Sequence, residues 1–190
     1  MHRGKCGKGM EPKISVIMLT YNREGLVGRA IESVICQTFS NFEYIIVDNG
    51  STDNSGKIAD DYASKDSRIY VIHREKGSIG SGRNTGLDAV KGEYIAFVDD
   101  DDELKPDYLE FLYGLAFENN AQVAICGVDG KNIDEKLIYK PEDGIVELLW
   151  RRKYNTGFPT KLINRSLFDR LRFHEASRCD DIYLMPQIFG

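Results

Sequence analysis

Four consecutive carboxylates, Asp99, Asp100, Asp101 and Asp102, follow directly on the apolar run Tyr94–Val98 in the stretch EYIAFVDDDDELKPD. Like charges packed this closely repel one another unless a cation offsets them. Carboxylate oxygens suit a hard divalent ion, Mg2+ or Mn2+, which takes one or two carboxylates and lets substrate phosphates complete its shell. The same run also suits the start of a helix, where acids are favoured, and Asp102, Glu103 and Asp107 fit that use beside Pro106. A second acidic pair, Asp180-Asp181 in CDDIYLM, lies far along the chain. Adjacent carboxylates raise each other's pKa, and a general base works best when its pKa approaches ambient pH. That pair fits an N-cap equally well. Between the two, GSIGSGRNTG (Gly77 to Gly86) is rich enough in glycine to approach a phosphate. It lacks the Lys-Ser/Thr of a Walker loop and the spacing of a dinucleotide fingerprint, so alone it reads as an ordinary loop. Arg83 adds a permanent cation suited to an anionic ligand.

These groups need elements to position them, and the chain alternates strand and helix. Ile14–Leu19, Tyr44–Val47, Ile69–Ile72 and Tyr94–Val98 are short apolar runs, as expected of strands buried on both faces, and Gln122–Gly127 reads as a fifth. Helical periodicity lies between them. One face carries Leu26, Val27, Ala30, Ile31, Val34 and Ile35, another Ile58, Ala59, Tyr62 and Ala63, and a third Leu109, Leu112, Tyr113 and Ala116. The glycine-rich loop leads into a helix near Arg83–Val90, and Pro106 is expected in the first turn of the next. This rhythm predicts an α/β fold, a mostly parallel sheet flanked by helices. After Gly127 it weakens. IVELLWRR is amphipathic, KLIN reads as a further strand and RSLFDRL as a short helix. A last helix beginning near Asp181 is cut off at Gly190, which reads as a truncated C-terminus.

In such a sheet, ligands bind at the carboxyl ends of the strands. That rule gathers Thr20, Tyr21 and Asn22 after strand one, Asp48 and Asn49 after strand two, and Asp99–Asp102 after strand four onto one edge.

Composition narrows the class. The 190 residues carry a net charge of −5, which gives no support to nucleic-acid binding, since phosphate binding needs a basic face. No apolar run approaches the roughly 20 residues that span a bilayer. The opening MHRGKCGKGM has no apolar h-region, so residues 1–12 read as a disordered lead-in rather than a signal. The four cysteines form no C-x-x-C pair and the three histidines are scattered, which argues against zinc. Cys36 and Cys126 sit in apolar contexts and are expected to be buried thiols. Reduced cysteines and no signal point to the cytoplasm.

Taken in order, ISVIMLTYNRE, AIESVICQTFSNFEYIIVDNGSTDNS and GRNTGLDAVKGEYIAFVDDDDELKPDYLE, with TKLINRSLF and CDDIYL after them, resemble the family 2 glycosyltransferases of GT-A fold. The resemblance runs from about Ile14 to Phe189. It implies a nucleotide-binding half at about 13–127 and an acceptor-side half at about 128–190. By the match to the D-x-D motif, Asp101 with Asp99 would ligate Mn2+ or Mg2+, and Asp99 and Asp100 would face the ribose or sugar. Thr20, Tyr21, Asn22, Asp48 and Asn49 would hold the nucleobase and ribose, and Arg83 would sit near the base or phosphates. Asn49 stands where many relatives carry Asp, which leaves base specificity less fixed, although an amide can still accept and donate. Asp181 matches the catalytic base, with Asp180 replacing the usual Glu. The implied reaction is an inverting transfer from a nucleotide-diphosphate sugar, UDP-sugar foremost, to a glycan or lipid-linked acceptor hydroxyl. It would serve surface polysaccharide or glycoconjugate synthesis at the inner face of the membrane, with any peripheral membrane association coming from a missing C-terminal segment. The alternatives are a catalytically silent nucleotide-binding or scaffold module, and a nucleotidyltransferase. The last needs a glycine-rich basic loop after strand one, where this chain has TYNREG.

Overall fold

In the computed structural model, which describes residues 11–127, 137–150, 156–175 and 180–189, the apolar runs form the strands they predict. Strands β1 (Ile14–Thr20), β2 (Phe42–Asp48), β3 (Ile69–His73) and β4 (Tyr94–Asp99) pair in parallel in the order β3-β2-β1-β4. Helices α1 (Val27–Ile35), α2 (Ser55–Ala63), α3 (Ile79–Ala89) and α4 (Tyr108–Glu118) follow these strands in turn. Then come β5 (Val123–Ile125), α5 (Pro141–Trp150), β6 (Lys161–Asn164), a 3-10 turn at Arg165–Phe168 and α6 (Asp180–Phe189).

The last two strands depart from the simple rhythm. β6 lies antiparallel between β4 and β5, giving the sheet order β3-β2-β1-β4-β6-β5. β5 therefore runs in the same direction as β4, but a strand from much later in the chain separates them. A sequence of alternating strands and helices carries no signal for that insertion.

Successive side chains of a strand point to opposite faces, so each buried run feeds two cores. On one face Val16, Met18, Ile46, Ala96 and Leu162 pack with Ala30, Ile31 and Val34 of α1, Ala59 of α2, and Leu109, Leu112 and Ala116 of α4. On the other, Ile17, Ile95, Phe97 and Ile163 pack with Leu87 of α3, Leu148 of α5 and Leu184, Met185 and Ile188 of α6. Phe97 sits at the centre of the second core, edge-to-face with Phe158, Phe168 and Phe173 at 5.1, 6.1 and 5.4 Å between ring centroids.

Four expectations change. The glycine-rich stretch is helix from Ile79 onward, capped by Ser78, whose hydroxyl accepts from the Ser81 amide at 3.1 Å. Its glycines serve packing. A Cβ on Gly82 would stand 2.3 Å from Leu19, one on Gly86 2.6 Å from Ile17, and one on Gly80 2.6 Å from the His174 carbonyl. Pro106 lies outside α4, in the turn before it, where its carbonyl accepts from Thr38 N at 2.8 Å. Cys36 is exposed, because the apolar face of α1 ends at Ile35, and Cys126 is half-buried. Gln37 takes the inward position instead and joins Ser33 O, Lys105 O and the Leu109 amide. The lead-in at residues 1–10, Cys6 and Cys179 lie outside the described residues. Among the described residues, no helix is long and apolar enough to cross a membrane.

Candidate active site

The carboxyl ends of β1, β2 and β4 face one edge, as the parallel pairing requires, and their polar residues meet there. The loops after β1 and β2 are laced together. Asn22 adopts a left-handed backbone, φ 53°, a conformation Asn tolerates better than most residues. Its amide donates to Ser51 Oγ at 3.1 Å, and its Oδ1 accepts from Thr52 N at 2.8 Å. Arg23 N donates to Ser55 Oγ, and Glu24 Oε2 accepts from both nitrogens of Asn54.

Beneath that loop pair, Asp48 is buried. It accepts from Ser51 N at 2.9 Å and lies 3.0 Å from His73 Nδ1. Burial alone would raise its pKa, but the Ser51 and His73 hydrogen bonds together hold it below the ordinary value. His73 Nε2 lies 3.1 Å from Asp60, and the hydrogen bond to Asp48 raises the imidazole pKa first, with Asp60 adding to it against burial. Asn49 is also buried, and its amide is spoken for on both sides. Nδ2 donates to Gly77 O at 3.0 Å, and Oδ1 accepts from Gly77 N at 3.1 Å. One N–H and one lone pair remain in principle. The Tyr21 ring is covered by Lys76, whose ammonium lies 4.4 Å from the ring centroid; the same ammonium donates to Lys76's other contact on that ring, the phenol oxygen, at 2.8 Å.

The acidic run divides. Asp99 closes β4 with a half-exposed side chain, and Asp100 turns inward, its side chain 13% exposed. Asp100 accepts from Tyr21 N at 3.4 Å and stands 3.6 Å from Arg23 Nε. Burial pushes its pKa up, opposed by the Thr20 hydroxyl, the Tyr21 amide and Arg23. Thr20 Oγ1 is itself buried, close to that carboxylate but without a hydrogen bond of normal geometry among the described residues. Asp101 is exposed at the turn, and Asp102 N reaches back to Asp99 O at 3.2 Å. Asp99 and Asp102 both have raised pKa values, from burial first and then from neighbouring carboxylates, with Arg83 opposing at Asp99.

Arg83 joins the two acidic regions. It is buried in α3 over the rings of Phe173 and Phe158, at 5.3 and 5.8 Å. One guanidinium nitrogen donates to Asp181 Oδ1 at 2.5 Å and another lies 3.6 Å from Asp99 Oδ1. Asp181, near the start of α6, thus meets Arg83 across 98 positions of sequence, and Arg83 links it to Asp99 at the end of β4. Asp180 belongs to α6, and its side chain lies outside the described residues.

All of the expected site residues therefore gather at one edge. Four others were missed. Arg23, His73 and Lys76 are ordinary polar residues in sequence, and only the strand register sets His73 opposite Asp48. Lys161 is the fourth. It opens β6 with no solvent exposure, donates to the Gly157 carbonyl and is attracted by Asp181 and Cys126. Its only signal in sequence is a lysine heading an apolar strand.

The oxygen-only donors suit a hard divalent ion. Burial and mutual repulsion raise Asp99 and Asp102, so this corner holds more negative charge than Arg83 and Arg23 offset. Asp101 and Asp99 are the carboxylates that could hold such an ion. Among the described residues no three His, Cys, Asp or Glu side chains form a ready-made cluster.

Known proteins are similar to this chain in sequence and in fold. Glycosyltransferase GlyG of Streptococcus pneumoniae is 34% identical over 95% of this chain, and glycosyltransferase GlyA of the same organism 33% over 95%. The chain spans 66% of GlyG and 28% of GlyA. The crystal structure of S. aureus TarS 1-349 in complex with UDP-GlcNAc superposes with a TM-score of 0.74 at 26% identity, covering 93% of this chain and 53% of that one. The family model for glycosyl transferase family 2 matches residues 15–179, and the chain belongs to that family.

Proposed function

We propose that the chain is an inverting glycosyltransferase that moves a sugar from a nucleotide-diphosphate sugar, with UDP as carrier, to the hydroxyl of a glycan or lipid-linked acceptor in surface polysaccharide or glycoconjugate synthesis. The observation that carries this reading is Arg83, which pairs with Asp181 on one side and Asp99 on the other. The base end and the phosphate end of such a reaction thereby share one site. The kinship with TarS, solved with UDP-GlcNAc, supports the choice of UDP.

In this reading Thr20, Tyr21, Asn22, Asp48 and Asn49 receive the nucleoside, with Asp48 held ionised by Ser51 and His73. Asp100 and Asp99 face the ribose and the sugar. Asp101 and Asp99 would hold a Mn2+ or Mg2+ ion, which when bound would supply positive charge to offset the departing diphosphate. Asp181 takes the proton of the acceptor hydroxyl. That oxygen attacks the anomeric carbon from the face opposite the nucleotide, and the bond to the diphosphate oxygen breaks with its electron pair leaving on UDP. An ordinary Asp, with a pKa near 4, is a weak base, so proton transfer comes late along the reaction path.

The test is Asp181→Asn, read by UDP release with UDP-GlcNAc and Mn2+ and by calorimetry of UDP. Release is abolished and Mn2+-dependent UDP binding stays. Normal turnover in the variant removes Asp181 as base. Tight UDP binding by the unaltered chain with no UDP-sugar hydrolysis above background would instead mark a nucleotide-binding module.

A further inference from the structure

The parallel ladder between β2 and β3 closes where Arg74 N donates to Asp48 O at 3.0 Å. The backbone of the next residue turns the other way, since Asn49 N donates to Thr20 O of β1 at 2.9 Å. Its side chain takes up the β3 side. Nδ2 donates to Gly77 O at 3.0 Å, while Oδ1 accepts from Gly77 N at 3.1 Å. The amide thus meets both backbone groups of one residue, as an adjoining strand would. That pairing needs a donor and an acceptor side by side, and an ionised carboxylate only accepts. At 5% exposure, Asn49 has little room left for a further partner.

The same two stretches meet again one residue away. Gly50 has φ 80°, and a Cβ there would stand 2.6 Å from Lys76 N, so the chain after β2 lies directly against the chain before Gly77. Lys76 in turn lies over the Tyr21 ring and donates to its phenol oxygen at 2.8 Å. Residues 74–78, which join β3 to α3, therefore form a strap between the end of β2 and the loop after β1. Such segments open locally at little cost when few bonds hold them, and the Asn49 amide supplies two.

We propose that Asn49 is a positioning residue: its amide latches the 74–78 strap to the end of β2, and so presents Lys76 and Tyr21 to the nucleoside, without itself pairing with the base. The inference rests on the reading of this edge as the nucleoside site and refines it, since Asn49 then builds the wall of that site. UDP and CDP are told apart, if at all, by other groups.

The experiment measures UDP and CDP affinity by calorimetry with Mn2+, and nucleotide-free amide exchange, in N49D, N49A and the unaltered chain. At about pH 8 the carboxylate of N49D sets an oxygen against Gly77 O, the strap opens and its exchange quickens. Apparent affinity scales with the fraction of molecules in the competent form, so UDP and CDP both weaken by roughly tenfold, in step. Burial and that carbonyl raise the pKa of the introduced carboxyl, and once protonated it donates and accepts as the amide did. Lowering the pH from about 8 to about 5 is therefore expected to return the exchange protection and both affinities of N49D toward those of the unaltered chain at the same pH. N49A has no proton to regain, so its losses persist at both pH values. A side chain that serves only overall stability gives no recovery confined to the strap, and loss of protection spread across the sheet overturns the inference. So does a gain for UDP over CDP in N49D at the higher pH, because uracil presents an N–H where cytosine presents a lone pair and a residue touching the base would tell them apart. Unchanged exchange at 74–78 in N49A overturns it as well. If the unaltered chain binds neither nucleotide, the nucleoside reading of this edge fails, and the exchange measurements still decide whether Asn49 is the latch.

Discussion

Asp48 and His73 form a pair whose pH behaviour follows from its geometry. The folded His73 pKa is raised above the ordinary 6.5, so its contribution to stability is complete below that value and fades as pH rises through the folded pKa. The folded Asp48 pKa is lowered from 3.8, so its contribution is present above that value and is lost as pH falls. Both are present together between those limits. His73→Gln is therefore expected to lower the Tm most near pH 6 and much less at pH 9, read by thermal denaturation across pH. A constant difference across that range would show that the ion pair is not what the imidazole contributes. At this scale the sequence was legible where a residue ends a strand. Thr20, Asp48 and Asp99 were placed by the strand-end rule alone. His73 was not, since its partner Asp48 is set by the β2–β3 register, which leaves no local signature.

Helix α3 shows how packing overrides propensity. Glycine disfavours helix by about 1 kcal/mol relative to Ala, which is why Gly77–Gly86 read as a loop. The sheet needs that helix close, and the missing Cβ atoms allow it. Gly80→Ala would press a Cβ to 2.6 Å from the His174 carbonyl, backbone that cannot easily yield. It is expected to cost about 1–3 kcal/mol of stability as overpacking. Gly114→Ala in α4, where a new Cβ meets nothing within 4 Å, is expected to gain about 0.5–1 kcal/mol. Urea unfolding of both variants checks the contrast, and equal effects would mean the glycines are interchangeable. The turn Asp99–Lys105 belongs to this scale too. Gln37 braces it from behind through the Lys105 carbonyl, but Asp101 to Glu103 project outward. Adding UDP and Mn2+ together is expected to slow amide exchange in residues 100–105, with UDP or Mn2+ alone doing less. Unchanged exchange with both ligands would place the metal elsewhere.

The sheet divides the whole molecule into two cores, and the one behind α3 and α6 is aromatic. Phe97→Ala removes the ring that Phe158, Phe168 and Phe173 all abut, and is expected to cost about 3–5 kcal/mol in urea unfolding. A loss below 1 kcal/mol would mean the neighbouring rings collapse into the gap. The four-strand parallel block and its helices were legible because buried runs and helical faces alternate in unbroken order. The place of β6 was not, because KLIN is four residues long and its neighbours are chosen by long-range pairing.

That placement has a consequence for how the chain is made. β5 emerges from the ribosome before β6, yet its only strand partner among the described residues is β6, and β4 keeps one edge bare until the same moment. Some 35 residues of synthesis separate the end of β5 from the start of β6, a delay of a few seconds at the 5–20 residues per second of translation. Throughout it, the nascent chain exposes an unpaired, apolar strand edge of the kind that recruits other chains. A fragment ending at Gly127 should therefore aggregate where the full chain folds, and supplying residues 156–175 as a separate peptide should partly rescue it.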